Sequence, residues 1–394
     1  MNRNNTWLLP EGIDELLPAQ ARALEALRRS LLDAYATWGY QMVVTPFIEF
    51  LESLLTGTGR DLDLQTFKLT DQVSGRLLGV RADITPQAAR IDAHRLRHDA
   101  PTRLCYIGSV LRTRGDGFSG LRSPLQIGAE LYGHGGVESD VEIVCLMMET
   151  LKLAGLDDVY LDLGHVGIFR SLAEAAGLTT GQEAELFEAL QRKAVAEIGD
   201  LLDGFGLEPA MRDMLYALVE LNGGEEVLGQ ARERLAQAPA EVAQAIDYIE
   251  AVAGQLKTLQ PGLPVHFDLA ELRAYHYQTG MVFAAFVPGE GQEVARGGRY
   301  DHIGEVFGRA RPATGFSADL KTLMRLGSSR PEPLEGAVLA PSDSDPDLLG
   351  RIAELRAEGT VVIRTLPGQG GDPAQMGCAY RLEKQAGQWD LVPL

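Results

Sequence analysis

The sequence predicts an α+β protein: a mostly antiparallel sheet with flanking helices, a helical insertion, and a small α/β module at the C-terminal end. Three observations carry that expectation. Short apolar runs, several alternating with period 2, recur from residue 41 to residue 287, which is strand behaviour. Residues 170–257 are instead rich in Leu, Ala and Glu and read as helical, with few strand candidates. After Pro331 and Pro333, strands alternate with a helix. The 394 residues are enough for two to three units with a buried core. The expected division is 1–169 with 258–328 as the core, 170–257 as the insertion, and 331–394 as the module.

The first element is a helix. Leu24, Leu27, Leu31 and Tyr35 recur at helical spacing, with Arg22, Arg28, Arg29 and Asp33 among the polar positions, and Gly39 ends it. Residues 41–45 read as a strand stopped by Pro46. Further strands are expected at 77–81, 104–108 and 125–132. Ser139 and Glu142 have the spacing of a capping box for the next helix, whose apolar face is Val141, Val144, Cys145, Met148 and Leu151. Residues 159–163 and 265–269 alternate with period 2, and 281–287 form a near-continuous apolar strand. In the last module, strands are expected at 336–341, 360–364, 378–382 and 389–392, with a helix at 346–358.

Composition narrows the function. The chain holds 55 Asp and Glu against 36 Lys and Arg, a net charge of −19. That balance opposes loose attachment to phosphate backbones. Six of the basic residues are lysines and the rest arginines, the better fork for carboxylate or phosphate. Cys105, Cys145 and Cys378 are too few and too scattered for a disulfide framework or a C-x-x-C metal site, and they fit a reducing cytosol. No stretch approaches the ~18 apolar residues of a transmembrane helix. Residues 1–5 precede no apolar signal-peptide core, so a cytoplasmic location is expected.

Five segments could carry chemistry. Arg112 and Arg114, in a glycine-rich stretch ending at Arg122, lie between two strands; they read as an anion clamp or as incidental charges on a solvated hairpin. Gln126, Gly128 and Glu130 share one face of a strand, which either binds a small zwitterion or faces water. Asp83 and Thr85 either cap the helix that follows or offer Asp83 to an ammonium group. The remaining two are residues 273–280 and 296–301, where Gly297 and Gly298 permit close backbone approach to a ligand. None fits a dinucleotide, P-loop or zinc-protease pattern, and His94 and His98 read as solvated. No cofactor is expected.

These five segments, in this order, resemble the catalytic core of class II histidyl-tRNA synthetases over about residues 10–326. The segment from Gly39 to Pro46 looks like the first class motif, Tyr106 to Glu130 like the second, and Ala313 to Phe316 like the start of the third. Arg273 to Phe283 and Gly297 to Asp301 resemble the histidine-specific signatures. The resemblance implies a class II synthetase-like fold and a histidine pocket formed by Asp83, Thr85, Arg112, Gln126, Glu130, Arg273 and Tyr277.

Departures from the family pattern point away from adenylation. The position where the synthetases hold adenine with Glu is Arg114 here. In the third motif the glycine is replaced by Asp319 and the phosphate-gripping Arg by Thr322. A carboxylate beside polyphosphate costs Coulomb energy, and a lost Arg removes a charge-assisted fork. On the amino-acid side Asp83 replaces a Glu, Gln278 one of a Tyr pair, and His276 an Asp. About 64 residues of net charge −5 follow Arg330, where a synthetase would carry a basic anticodon-binding domain of roughly 100 residues. The insertion carries 16 acids against 7 bases, a net of −9.

One paralogue group resembles this pattern: the regulatory subunits of short-form ATP phosphoribosyltransferase, at the first step of histidine biosynthesis. The segments 83–87 and 276–283 carry that likeness. It implies a catalytically inactive homodimer that joins short-form catalytic subunits in a hetero-octamer of four and four. It also implies that the subunit is required for activity and for feedback inhibition by histidine, with no tRNA and no membrane as partner. The alternatives are a divergent histidyl-tRNA synthetase that adenylates histidine, and a stand-alone amino-acid-binding or tRNA-modifying paralogue.

Overall fold

The computed structural model describes residues 7–56, 60–115, 120–272, 275, 277–328 and 336–394. They divide into two compact units, Met1–Ser329 and Arg330–Leu394.

The first unit opens with α1 (Pro18–Thr37). Pro18 suits a first helical turn, where its missing N–H has no partner to lose. Leu27, Leu31 and Tyr35 turn inward, and the Tyr35 hydroxyl meets Thr150 Oγ1 at 2.8 Å. Next comes β1 (Gln41–Met42), two residues where the run 41–45 predicts five. It pairs in parallel with a later strand; the chain then peels away, leaving Val44 exposed ahead of Pro46. A small antiparallel sheet of β2 (Ile48–Phe50), β3 (Phe67–Thr70) and β4 (Leu77–Val80) follows, with β4 in the middle and with α2 (Leu51–Leu55) and α3 (Arg60–Gln65) between β2 and β3 in the chain. Helix α4 (Thr85–Arg90) continues into a π-helical stretch, Ile91–Leu96.

The main sheet uses β5 (Thr102–Ser109), β6 (Leu125–Tyr132) and β7 (Tyr160–His165), with α5 (Val137–Leu153) between the last two. The helical stretch is α6 (Val166–Ala175), α7 (Thr180–Gln191), α8 (Val195–Gly204), α9 (Pro209–Ala217), α10 (Glu226–Arg234) and α11 (Ala240–Leu259). A two-residue β8 (Asn222–Gly223) interrupts it, which helical periodicity does not reveal. The chain returns through β9 (Val265–Asp268), β10 (Met281–Phe286), β11 (Ala295–Arg299), β12 (Ala313–Asp319) and α12 (Leu320–Leu326).

The strand order is β1-β5-β6-β12-β11-β10-β7-β9-β8, antiparallel except at β1–β5 and β7–β9. The expected α+β, mostly antiparallel architecture is therefore observed. One apolar core joins the sheet to α1, α5, α6 and α11. The expected capping box at α5 does not form. Its N-cap is Gly136; Ser139 donates back to the Gly136 carbonyl at 2.7 Å, and Glu142 is taken by Arg103 and Tyr40. Tertiary partners outbid the local pair. A buried ionic knot replaces it: Arg299 reaches Ser139 Oγ at 2.8 Å and Asp140 Oδ2 at 3.1 Å, and Tyr248 donates to the same Asp140 oxygen at 2.5 Å.

The second unit holds β13 (Ala337–Ala340), α13 (Pro346–Ala357), β14 (Val362–Arg364), β15 (Cys378–Gln385) and β16 (Gln388–Pro393). Its order is β14-β13-β15-β16. Strand β13 runs parallel to both neighbours, and β15 and β16 form a hairpin whose two turn residues, Ala386 and Gly387, both have positive φ. Val338, Leu348, Ile352, Leu355 and Leu382 form its core. Among the described residues no helix is long and apolar enough to cross a membrane.

Candidate functional site

Strand β6 divides its side chains between two environments. Ile127, Ala129 and Leu131 enter the apolar core, while Gln126, Gly128 and Glu130 face the other way. That second face is not water-facing: Gln126 is 4 % exposed and Glu130 1 %. The cover comes from α4, from Tyr106 on β5, and from Tyr300 just after β11. The Tyr106 hydroxyl donates to Glu130 Oε1 at 2.8 Å and lies 3.0 Å from Thr85 Oγ1. The Tyr300 hydroxyl donates to Glu130 Oε2.

Two glycines make room for this carboxylate. Gly128 faces Tyr106 across the β5–β6 pair, and a Cβ there would sit 2.5 Å from the tyrosine hydroxyl. Gly315 faces Glu130 across the β6–β12 pair, and a Cβ there would collide with the carboxylate itself. Burial pushes the Glu130 carboxyl up to about 8, and the charge of Asp83 pushes the same way; the two tyrosine hydroxyls and Thr85 oppose the rise. A cation brought to this pocket would favour the ionised form.

Asp83 and Gln126 form the next part of the wall. Gln126 Nε2 donates to Asp83 Oδ1 at 2.7 Å, and Gln126 Oε1 accepts from the Ile84 amide at 2.9 Å. Asp83 Oδ1 also accepts from the Thr85 amide at 3.0 Å, so Asp83 steadies the start of α4 while standing in the pocket. Arg112 is half-buried, with Nε 3.3 Å from the Ala82 carbonyl. Burial and the neighbouring Arg296 lower its affinity for a proton, whereas Asp83 and Asp319 hold it charged. Arg114 is exposed, and regular strand ends at Ser109, so the two arginines do not form the paired clamp that their spacing suggests.

Tyr277 closes the site from the other side. Its ring stacks on Tyr300 at 5.1 Å, and burial beside Glu130 and Asp83 raises its hydroxyl pKa. Among the described residues nothing hydrogen-bonds the buried Tyr277 hydroxyl or Gln278 Oε1. Enclosed polar atoms without partners, next to a raised carboxyl, suit a small polar ligand. Asp83, Thr85, Arg112, Gln126, Glu130 and Tyr277 thus come together; Arg273 and His276 lie outside the described residues. Tyr106 and Tyr300, which join Thr85, Glu130 and Tyr277, are not among the residues expected from sequence. The signal for them was Gly128 and Gly315. Gly297 serves the sheet, where a Cβ would strike the Phe283 ring at 2.5 Å, and Gly298 leaves space for the Gln278 side chain.

The segment that resembles the third class motif is differently made. Asp319 caps α12: Oδ1 accepts the Leu125 amide at 2.9 Å and the Lys321 amide at 3.2 Å, and Oδ2 accepts the Thr322 hydroxyl at 2.8 Å. Lys321 is drawn to Asp14 at 2.5 Å and to the Ser123 carbonyl at 2.8 Å. Lys321 is thus paired with Asp14, while Asp319 is taken up by two backbone amides and the Thr322 hydroxyl. Among the described residues no cluster of His, Cys, Asp and Glu could hold a metal ion.

Comparison with known proteins agrees with this fold. Residues 12–323 match the family model for histidyl-tRNA synthetase, and residues 335–392 match that of the ATP phosphoribosyltransferase subunit HisZ C-terminal domain. An ATP phosphoribosyltransferase regulatory subunit of Alkalilimnicola ehrlichii is 60 % identical, covering 100 % of this chain and 98 % of the relative. One from Thioalkalivibrio sulfidiphilus is 59 % identical over 100 % of both. A Bacillus halodurans crystal structure described as an ATP phosphoribosyltransferase regulatory subunit/histidyl-tRNA synthetase superposes with a TM-score of 0.84 at 26 % identity, covering 95 % of this chain and 97 % of that one. Histidyl-tRNA synthetase from Nostoc shares the fold, with a TM-score of 0.78 at 19 % identity over 98 % and 97 % of the chains.

Proposed function

This chain belongs to the family of ATP phosphoribosyltransferase regulatory subunits, and from that premise we propose that it switches on a short-form catalytic subunit and makes it sensitive to histidine. It does so without a reaction of its own. The observation that supports this is the asymmetry of the site: an enclosed amino-acid pocket around Glu130 beside a nucleotide side whose Asp319 and Thr322 are bonded to each other.

In this reading histidine is the ligand. Asp83 takes its ammonium group, while Glu130, Gln126, Thr85, Tyr277, Arg112 and Arg273 take the remaining polar atoms. Inhibition requires more than occupancy: histidine must bind one conformation of the complex better than the other. The assembly is a hetero-octamer of four catalytic and four regulatory chains around a homodimeric regulatory core, in the cytoplasm, without tRNA.

Two assays test the proposal. Histidine-dependent ATP–pyrophosphate exchange separates it from an active synthetase, and exchange at synthetase-like rates would refute it. Co-purification with a short-form catalytic subunit separates it from a stand-alone amino-acid-binding paralogue.

A further inference from the structure

Asp268, Tyr275 and Gln278, the described residues around Tyr277, are gripped from outside the sheet. Lys193, in the turn after α7, pairs with the buried Asp268 at 2.6 Å. Tyr275 is the central anchor. Its ring packs between Phe169 of α6, edge-on at 5.5 Å, and Phe187 of α7 at 5.3 Å. Its hydroxyl donates to Glu183 Oε1 at 2.6 Å. The Arg170 guanidinium lies 4.9 Å over the same ring. One nitrogen of that guanidinium, Nη2, donates to the carbonyl of Tyr275 at 3.0 Å and to that of Gln278 at 2.9 Å. Those two carbonyls flank Tyr277.

The clamp has a physical consequence for the pocket. The stack of Tyr277 on Tyr300 and the direction of the Gln278 amide both depend on where the Tyr275 and Gln278 carbonyls are held. A wall held in place before binding removes part of the ordering cost that a ligand would otherwise bear. Because the grip comes from α6 and α7, strain or order created at the wall reaches those helices through direct bonds.

We propose that Arg170 and Glu183 are positioning residues for the ligand site, holding the Tyr277–Gln278 wall through Tyr275 and two backbone carbonyls, so that α6 and α7 respond to what occupies the pocket. The proposal rests on the reading of histidine as the ligand. It deepens that reading by assigning the route along which occupancy leaves the site.

The test uses the full chain as wild type, Arg170→Met, Arg170→Lys and Tyr275→Phe. Histidine affinity is measured by calorimetry, and backbone hydrogen exchange over residues 166–191 is followed with and without saturating histidine. Wild type is expected to exchange more slowly over 166–191 when histidine is bound. Arg170→Met is expected to bind about tenfold more weakly and to lose that slowing, and Arg170→Lys to recover part of both. Tyr275→Phe, which deletes one hydroxyl and keeps the ring, should also reduce both effects; it decides the matter if Arg170→Met does not fold. Wild-type affinity and wild-type slowing in the folded variants would overturn the clamp and leave the histidine reading standing. A wild-type chain that takes up no histidine would overturn both.

Discussion

Replacing Glu130 by Gln isolates the electrostatic load of the pocket. In the folded chain the Glu130 carboxyl is raised from 4.5 to about 8, mainly by burial. The unfolded chain therefore releases this proton near pH 4.5, and the folded chain holds it until about pH 8. Between those values the native state binds the extra proton, so stability falls as pH rises, and the loss levels off above about pH 8. Below pH 4.5 both states are protonated and the load vanishes. At roughly 1.4 kcal/mol per pH unit, the step from pH 5 to pH 8 is worth on the order of 4 kcal/mol. For a unit of this length, with an unfolding entropy near 0.7 kcal/mol per kelvin, that is roughly 6 °C in melting temperature. Glu130→Gln keeps the size and loses the titration. Thermal or urea unfolding of both proteins without histidine, from pH 5 to pH 8.5, should show the variant gaining on wild type by about this amount as pH rises. Any fixed cost of the amide shifts the whole curve and leaves its slope intact. Parallel curves across that range would refute the assignment of a raised carboxyl at Glu130.

Other consequences are measurable. At pH 7 roughly nine in ten unliganded Glu130 carboxyls are protonated, so a cationic ligand group should release up to about one proton per site, read as buffer-dependent heat of histidine binding. Glu130→Ala and Arg273→Ala should raise the half-inhibiting histidine concentration while the mass of the complex stays the same; normal sensitivity in both variants would remove the pocket from the feedback mechanism. Arg299→Met should destabilise the first unit by about 3–5 kcal/mol in denaturant unfolding, because buried Asp140 loses its cation. Arg28→Ala, which breaks a partly exposed pair with Glu25, should cost below about 1 kcal/mol in the same assay.

Much of the fold was legible because one periodicity decided each element. Strand β6 spans 125–132 as its alternation indicates, since one face must enter the core. Strand β1 is shorter than the run 41–45 because the chain leaves β5 after the Val43 amide bonds the Cys105 carbonyl, and Thr45 is bonded by Arg81 instead. The Ser139–Glu142 pair failed for a different reason: the local rule cannot see Arg299, Arg103 or Tyr40, which arrive from distant sequence. The site shows the same division. The shared face of Gln126 and Glu130 follows from their spacing on a strand. Their burial does not, because the tyrosines that cover Glu130 come from β5 and from the end of β11. The small-residue positions opposite them, Gly128 and Gly315, were the local trace of that cover. Asp319 was legible as a carboxylate out of place, but its role as the cap of α12 needed the Leu125 amide, which only the folded sheet brings near.

The most direct measurement is phosphoribosyl-ATP formation by a short-form catalytic subunit, assayed with and without this chain and with and without histidine. Activity should depend on adding the chain, and histidine should inhibit the mixture. A catalytic subunit that runs equally well alone, or a reconstituted complex that histidine leaves unaffected, would contradict the account.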